Sequence, residues 1–353
     1  MEVSTEGISL AELGLAGRNH SLPLEALKFD LTPVGLHYLL IHFDIPFVDP
    51  ASFTLEVAGR VRQPLVLTLD QLRDRPAVTT AVTLECAGNG RALLSPRPVS
   101  QPWLQEAVGT AEWTGTQLAP ILQEAVLEKD AVDVVFTGVD RGVQGDVEHN
   151  YERSLSVNDA MDADVLLAYA MNGEPLLPQH GAPLRLIVPG WYGMAHVKWL
   201  QRITLIDHPF RGFQQVDRYR LRNTEEEPGS PVTRIQPRAL MIPPGIPDFL
   251  SRSRLVEAGK HELQGKAWSG CGPIRRVELS FDGGKSWTDT RLGAALSPHA
   301  WTPWSYKWDA SPGTYTVCVR ATDQAGNSQP LGPVWNLEGM MNNAVQRLDV
   351  VVR

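Results

Sequence analysis

Residues 83–91, Thr83-Leu84-Glu85-Cys86-Ala87-Gly88-Asn89-Gly90-Arg91 (TLECAGNGR), close a β-branched run, VTTAVTL, on a cysteine followed by small residues. The alternation of Val and Thr suits a strand. Ala-Gly-Asn-Gly lets the backbone turn tightly and leaves the Cys86 sulfur accessible from a cavity. Arg91 stands close enough along the chain to lower the thiol pKa or to bind an anion beside it. A buried core cysteine in front of a turn is the alternative that these residues alone leave open.

Downstream, residues 179–199 (QHGAPLRLIVPGWYGMAHVKW) bring His180, Arg185, His196 and Lys198 together in an otherwise acidic chain. Gly181, Gly190 and Gly193 permit close approach of backbone to a ligand. Such a cluster suits a phosphate or pyrophosphate, where cations and backbone amides share the load. An ordinary surface with two packed histidines is the other reading. Neither histidine has a second ligand at a zinc spacing such as HExxH.

Around these segments strands and helices mix. SFTLEVA (52–58), AVDVVFTGV (131–139), PLRLIVPG (183–190) and VKWLQRITLID (197–207) read as strands. Thr68 is a plausible N-cap for a short helix that Pro76 stops, and residues 115–130 space their apolar side chains as a helix, with Pro120 near its start. Between residues 223 and 247 the composition changes to acids, Gly and six prolines, which predicts an irregular connection between domains. Beyond it RRVELSFDGGKSW alternates Val277, Leu279 and Phe281 and turns at Asp282-Gly283-Gly284. YTVCVRATD repeats the alternation with Tyr315, Val317, Val319 and Ala321. These patterns predict an immunoglobulin-like sandwich, with Cys318 on the face opposite its valine neighbours and without a functional role. The expected class is α+β: a mixed α/β domain over 1–225 followed by a β-sandwich over 226–353.

A chain of 353 residues suits two domains on a prior of roughly 150 residues each. Hydrophobic content of 43% and charged content of 20% are those of a globular protein. A formal charge of −8 argues against a nucleic-acid or anionic-membrane binder. Cys86, Cys271 and Cys318 are scattered and odd in number, so no disulfide framework, CxxC or CxxCH motif is present. The N-terminal stretch lacks the charge and apolar pattern of a signal peptide, and no apolar run approaches ~18 residues, so a cytoplasmic protein without a membrane span is expected.

TLECAGNGR, LLAYAMNGEPL, HGAPLRLIVPG and HVKWLQRI, in that order and at similar separations, resemble the sulfite oxidase family. GKAWSGCGPIRRVELSFDGGKSW and VWNLEGMMNNAVQRLDV resemble its molybdenum-cofactor dimerisation domain, and the likeness runs from about Leu31 to Arg353. The resemblance implies a molybdopterin cofactor whose molybdenum takes Cys86 as its one protein ligand; a soft thiolate suits a metal already bound by sulfur. It also implies pterin and phosphate contacts from His42, Asp140, His180, Arg185 and the His196-Val197-Lys198 segment. Tyr219 matches the family's tyrosine beside the metal, and Arg91 matches one of the arginines around the substrate anion.

Two positions depart from the pattern. The family's Arg-Asn-His falls on Leu40 and His42, while Arg18-Asn19-His20 lies too early in the chain. The arginine of the family's WNLRG is Glu338. Charge-assisted bonds contribute on the order of 1.5–3 kcal/mol each, so losing two weakens sulfite binding unless another cation compensates. The implied function is two-electron oxygen-atom transfer on sulfite or a related small molecule. A reductase of S-oxides or N-oxides is the alternative within the class, and a non-catalytic interaction protein is the remote one. In the absence of a haem motif, electrons are expected to pass to a separate acceptor. The second domain implies a homodimer.

Overall fold

The computed structural model describes residues 3–4 and 6–353 and is built mainly of strands. Two five-stranded sheets form the N-terminal part. The first runs Glu174–Pro175, Leu166–Met171, Val108–Gln117, Ala77–Glu85, with Arg185–Ile187 also on Leu166–Met171. Its edge strand Ala77–Glu85 pairs antiparallel with Val108–Gln117, Ala77 opposite Thr116 and Glu85 opposite Val108, so the strand that precedes Cys86 is fixed to its last residue. The second runs Leu65–Thr68, Thr54–Gly59, Leu200–Ile206, Asp133–Gln144, Val147–Ser156. Within it, Leu200–Ile206 is parallel to Thr54–Gly59. Leu55, Val57, Leu118, Ile121, Leu122, Val134, Phe136 and Ile203 pack into one core, sealed from water. Burial of such side chains stabilises by about 1.5–3 kcal/mol each.

The C-terminal part stacks a four-stranded sheet (Arg238–Met241, Gly259–Trp268, Thr302–Ala310, Arg291–Leu292) on a six-stranded one that includes Ile274–Ser280, Gly313–Asp323 and Gln346–Val352. Val277, Leu279, Val317, Val319 and Val350 meet Trp304 and Trp308 between the layers, as the alternating patterns predict.

The expected helix over 115–130 is half as long. Residues 115–117 finish the strand Val108–Gln117, and the helix spans Leu118–Ala125. Gly115 presses on the neighbouring strand so closely that a Cβ there would meet the Leu167 carbonyl at 2.2 Å. Pro120 is harmless, because the first-turn N–H it lacks would have no intrahelical partner. Thr68 does cap a helix, Leu69–Arg73, in a reciprocal capping box with Gln71. A helix the periodicity did not reveal, Leu10–Arg18, has the same device in Ser9 and Glu12.

The stretch 223–247 is not a loose connection. It contains the strands Ser230–Pro231, Arg238–Met241 and Ile246–Pro247, and Val232, Ile235 and Arg238 are buried. Cys318 lies on the strand face opposite Val317 and Val319, outside the core they share, and is nevertheless buried; the Asp282 turn lies against the same strand, with Gly283 N–H donating to Thr316 O at 3.0 Å. It is a free, structural thiol.

Candidate active site

Cys86 leaves the end of the strand Ala77–Glu85 and enters a turn that the C-terminal part holds shut. Glu85, beside it and buried, accepts from Arg238 Nε at 2.8 Å, Trp268 Nε1 at 2.7 Å and Asn89 Nδ2 at 3.0 Å. Met341 N–H donates to Ala87 O at 2.8 Å, and Asn342 Nδ2 donates to Gly90 O at 2.8 Å. Gly90 has φ +90, and a Cβ on it would strike the Asn342 amide at 2.8 Å. Only glycine suits both conditions.

The Cys86 side chain reaches two neighbouring cavities. The first, about 700 Å³, is lined by His42, Cys86, Asp140, His180, Arg185, His196, Lys198 and Tyr219 among others. The second, about 930 Å³, is lined by Arg91, Arg218 and Glu338, and shares Leu40, His42, Cys86 and Tyr219 with the first. The two chambers therefore adjoin along these four residues.

Burial dominates the electrostatics of the first cavity. It holds His42 and His37 down to about 4 and His196 to about 3. Burial, then the Arg185 charge, lowers Lys198 to about 7, and burial raises Asp140 to about 7. Arg185 donates to His180 O at 2.9 Å and stands over the Trp113 ring at 4.6 Å. Lys198 Nζ donates to Leu40 O at 2.9 Å and Gln179 O at 3.2 Å. Asp140 Oδ1, Arg185 Nε and His37 Nε2 are buried with no hydrogen-bond partner among the described residues. Such orphaned atoms are rare in proteins unless a ligand meets them.

His196 lines the cavity but has no free ring nitrogen. Its Nδ1 accepts from Val188 N–H at 3.1 Å, which leaves Nε2 to donate to Trp191 O at 3.1 Å. Val197 is not placed on the cavity: its side chain is in the core, and its N–H and C=O bond to Ala195 and Leu186. Arg91 sits in the second chamber, donating to Glu338 O at 3.0 Å and Gln101 O at 3.1 Å. Arg18-Asn19-His20 brings no cation to either chamber. Arg18 pairs with Asp44 at 3.2 Å, and Asn19 Oδ1 accepts from Ile41 N–H at 2.7 Å, so the triplet braces the segment that carries Leu40 and His42.

Tyr219 is buried at φ +55, an uncommon backbone for a bulky residue. Glu338 holds it there, Oε2 accepting from Tyr219 N–H at 3.0 Å while Oε1 pairs with Arg222 at 3.2 Å. Burial first, then the nearby Cys86, push the phenol up to about 12, with the Arg153 guanidinium 5.4 Å from the ring centroid acting the other way.

Sequence reasoning missed His37, Tyr38, Tyr151 and Gln179, which also line the first chamber. The signal for the first two lay in LHYLL, just ahead of His42. Gly109 lets the His37 ring lie flat on its strand, where a Cβ would meet the ring at 2.5 Å.

Comparison with known proteins matches residues 42–214 to an oxidoreductase molybdopterin-binding domain and residues 244–353 to a Mo-co oxidoreductase dimerisation domain. The mitochondrial sulfite oxidase of Mus musculus is 33% identical over 348 residues, covering 91% of this chain and 62% of that protein. The chain belongs to the sulfite oxidase family of molybdopterin-dependent oxidoreductases. An NADH nitrate reductase of Hordeum vulgare is 34% identical over 351 residues, covering 91% of this chain. The chain spans 38% of that reductase, less than two thirds of either curated relative. Among solved structures, the sulfane dehydrogenase SoxCD of Paracoccus pantotrophus superposes with a TM-score of 0.80 at 26% identity, covering 97% of this chain and 90% of that one.

The first chamber fits the family's cofactor. Among the described residues no three His, Cys, Asp or Glu side chains converge as a metal site, so a metal at Cys86 must bring its other donors with it, as molybdopterin does. Asp140 Oδ1 has no donor among the described residues and would suit the amino groups of a pterin, and Arg185 and Lys198 would suit its phosphate. No helix among the described residues is long and apolar enough to cross a membrane.

Proposed function

We propose that the chain carries out two-electron oxygen-atom transfer on a small substrate held in the second chamber, with sulfite oxidation to sulfate as the leading reaction. One observation carries this reading: Cys86 and Tyr219 stand where the cofactor chamber adjoins a second cavity that holds Arg91 and Arg218 and shares only Leu40, His42, Cys86 and Tyr219 with the first. When bound, molybdopterin supplies a molybdenum that exchanges two electrons and an oxygen atom with substrate.

Cys86 would be the protein ligand, with His42, Asp140, His180, Arg185 and Lys198 holding the pterin and its phosphate. Burial raises the Cys86 thiol, with Arg91 acting against it; metal binding must release that proton. Tyr219, pushed up to about 12, remains a neutral phenol near pH 7. It can donate a hydrogen bond into the junction and pass a proton to or from the reacting oxygen. The first chamber's apolar wall includes Leu84 and Met194, which limits water around the pterin side of the junction.

Leu40 and Glu338 in the second chamber favour one alternative, a relative that acts on an S-oxide, an N-oxide or sulfane sulfur. The dimerisation-domain match supports a homodimer, and electrons would leave to a separate acceptor.

Steady-state oxidation of sulfite with ferricyanide tests the leading reaction. Cys86→Ser should abolish turnover and leave the melting temperature within a few degrees, and retained turnover refutes the ligand assignment. Light scattering checks the dimer against the 38.9 kDa chain mass.

A further inference from the structure

Leu40 and Glu338 occupy the positions where the family's pattern has arginines, so an anion in the second chamber needs its charge from elsewhere. Two arginines line that chamber, Arg91 and Arg218. Arg91 is fastened: Nε and Nη1 donate to carbonyls, and Nη2 faces Met340 Sδ at 3.5 Å. A Cβ on Gly88 would meet the Arg91 guanidinium at 2.6 Å, so the group cannot swing that way.

Arg218 differs. Its guanidinium lies 5.3 Å from the Phe213 ring centroid, and no hydrogen bond or ion pair takes any of its nitrogens among the described residues. Its Nε is buried and without an acceptor among the described residues, although a buried donor ordinarily has one, and the residue as a whole is half-buried. Gly145 leaves room beside it, a Cβ there lying 3.5 Å from Nη2.

Glu338 feels the charges of Arg218, Arg222 and Arg91, but one carboxylate among three guanidiniums leaves the balance positive. One carboxylate oxygen pairs with Arg222 and the other accepts the Tyr219 N–H. The acid is committed to holding Tyr219, and the chamber keeps a positive balance from Arg91 and Arg218.

We infer that Arg218 is the substrate-binding cation of the second chamber and that, with Arg91, it selects a small oxyanion. Planar N–H pairs on a stacked guanidinium match two oxygens of such an anion. The inference rests on the second chamber being the substrate site, as proposed above, but not on sulfite being turned over.

Inorganic sulfate is the probe, with its dissociation constant measured calorimetrically on the molybdenum-loaded protein. Arg218→Met should weaken sulfate by about 10- to 100-fold, the loss of one charge-assisted contact. Arg211→Met, an exposed residue on the same segment, should change it less than about twofold. Arg218→Gln, which keeps length and polarity, should lose sulfate to the same extent if the methionine variant misfolds.

Equal affinity in wild type and both Arg218 variants overturns the inference, as does failure of the wild type to bind millimolar sulfate. Arg218-dependent sulfate binding without sulfite turnover supports the anion site and counts against the sulfite reaction, so the two readings fail separately.

Discussion

Lys198 shows how the chamber is tuned at the scale of one residue. Burial first, then Arg185, hold its ammonium down to about 7, and Asp140 pulls the other way. In the unfolded chain a lysine titrates near 10.4, so between the two values the unfolded state binds more protons and stability rises with pH. Cofactor-free protein should therefore gain stability from this site between about pH 7 and pH 10, and Lys198→Met should lack that gain; urea midpoints across the range check it. An anionic phosphate beside Lys198 would restore its charge, so cofactor loading should take up a proton there. Lys198 was legible from its segment, because a cation among glycines and histidines is a local pattern. Arg218 and Glu338 were not. What each one does depends on partners remote in sequence or on having none, and the residues around them do not encode that.

At the scale of elements, the strand Ala77–Glu85 and the strand Arg238–Met241 are tied by one ion pair with almost no exposure on either side. Removing one member of a buried pair strands the other charge in a dry interior and costs about 3–5 kcal/mol. Arg238→Met should destabilise the protein by that order in urea unfolding, and it should loosen the Cys86 turn enough to lower the molybdenum content of purified protein. Strands were readable where alternation or β-branching marks them, as at Thr54–Gly59 and Ile274–Ser280. The overlong helix at 115–130 shows where that reading fails: apolar spacing alone does not tell the end of a buried strand from the start of a buried helix. The unread helix Leu10–Arg18 failed for the opposite reason. Its apolar residues are mostly exposed, and its capping box was the only local clue.

For the whole molecule, composition and pattern were enough to expect a mixed domain and a sandwich, but not how far the two depend on each other. The proline-rich stretch that looked like a linker is packed between them. Glu338 reaches Tyr219 and Arg222, and Leu337 N–H donates to Arg222 O at 2.8 Å. A fragment ending at residue 225 should accordingly fail to show a cooperative thermal transition, because it lacks Arg238, Trp268 and the 337–342 segment; a sharp calorimetric melt of that fragment would show the parts to be independent.

The turn after Cys86 is closed by Met341 and Asn342, which lie close to the last strand of the chain. On a ribosome, the sulfur emerges long before the residues that will fix its surroundings. Its final setting forms only once the 337–342 segment has been made and folded back, so insertion of the prosthetic group has to wait for residues about 250 positions downstream of the sulfur.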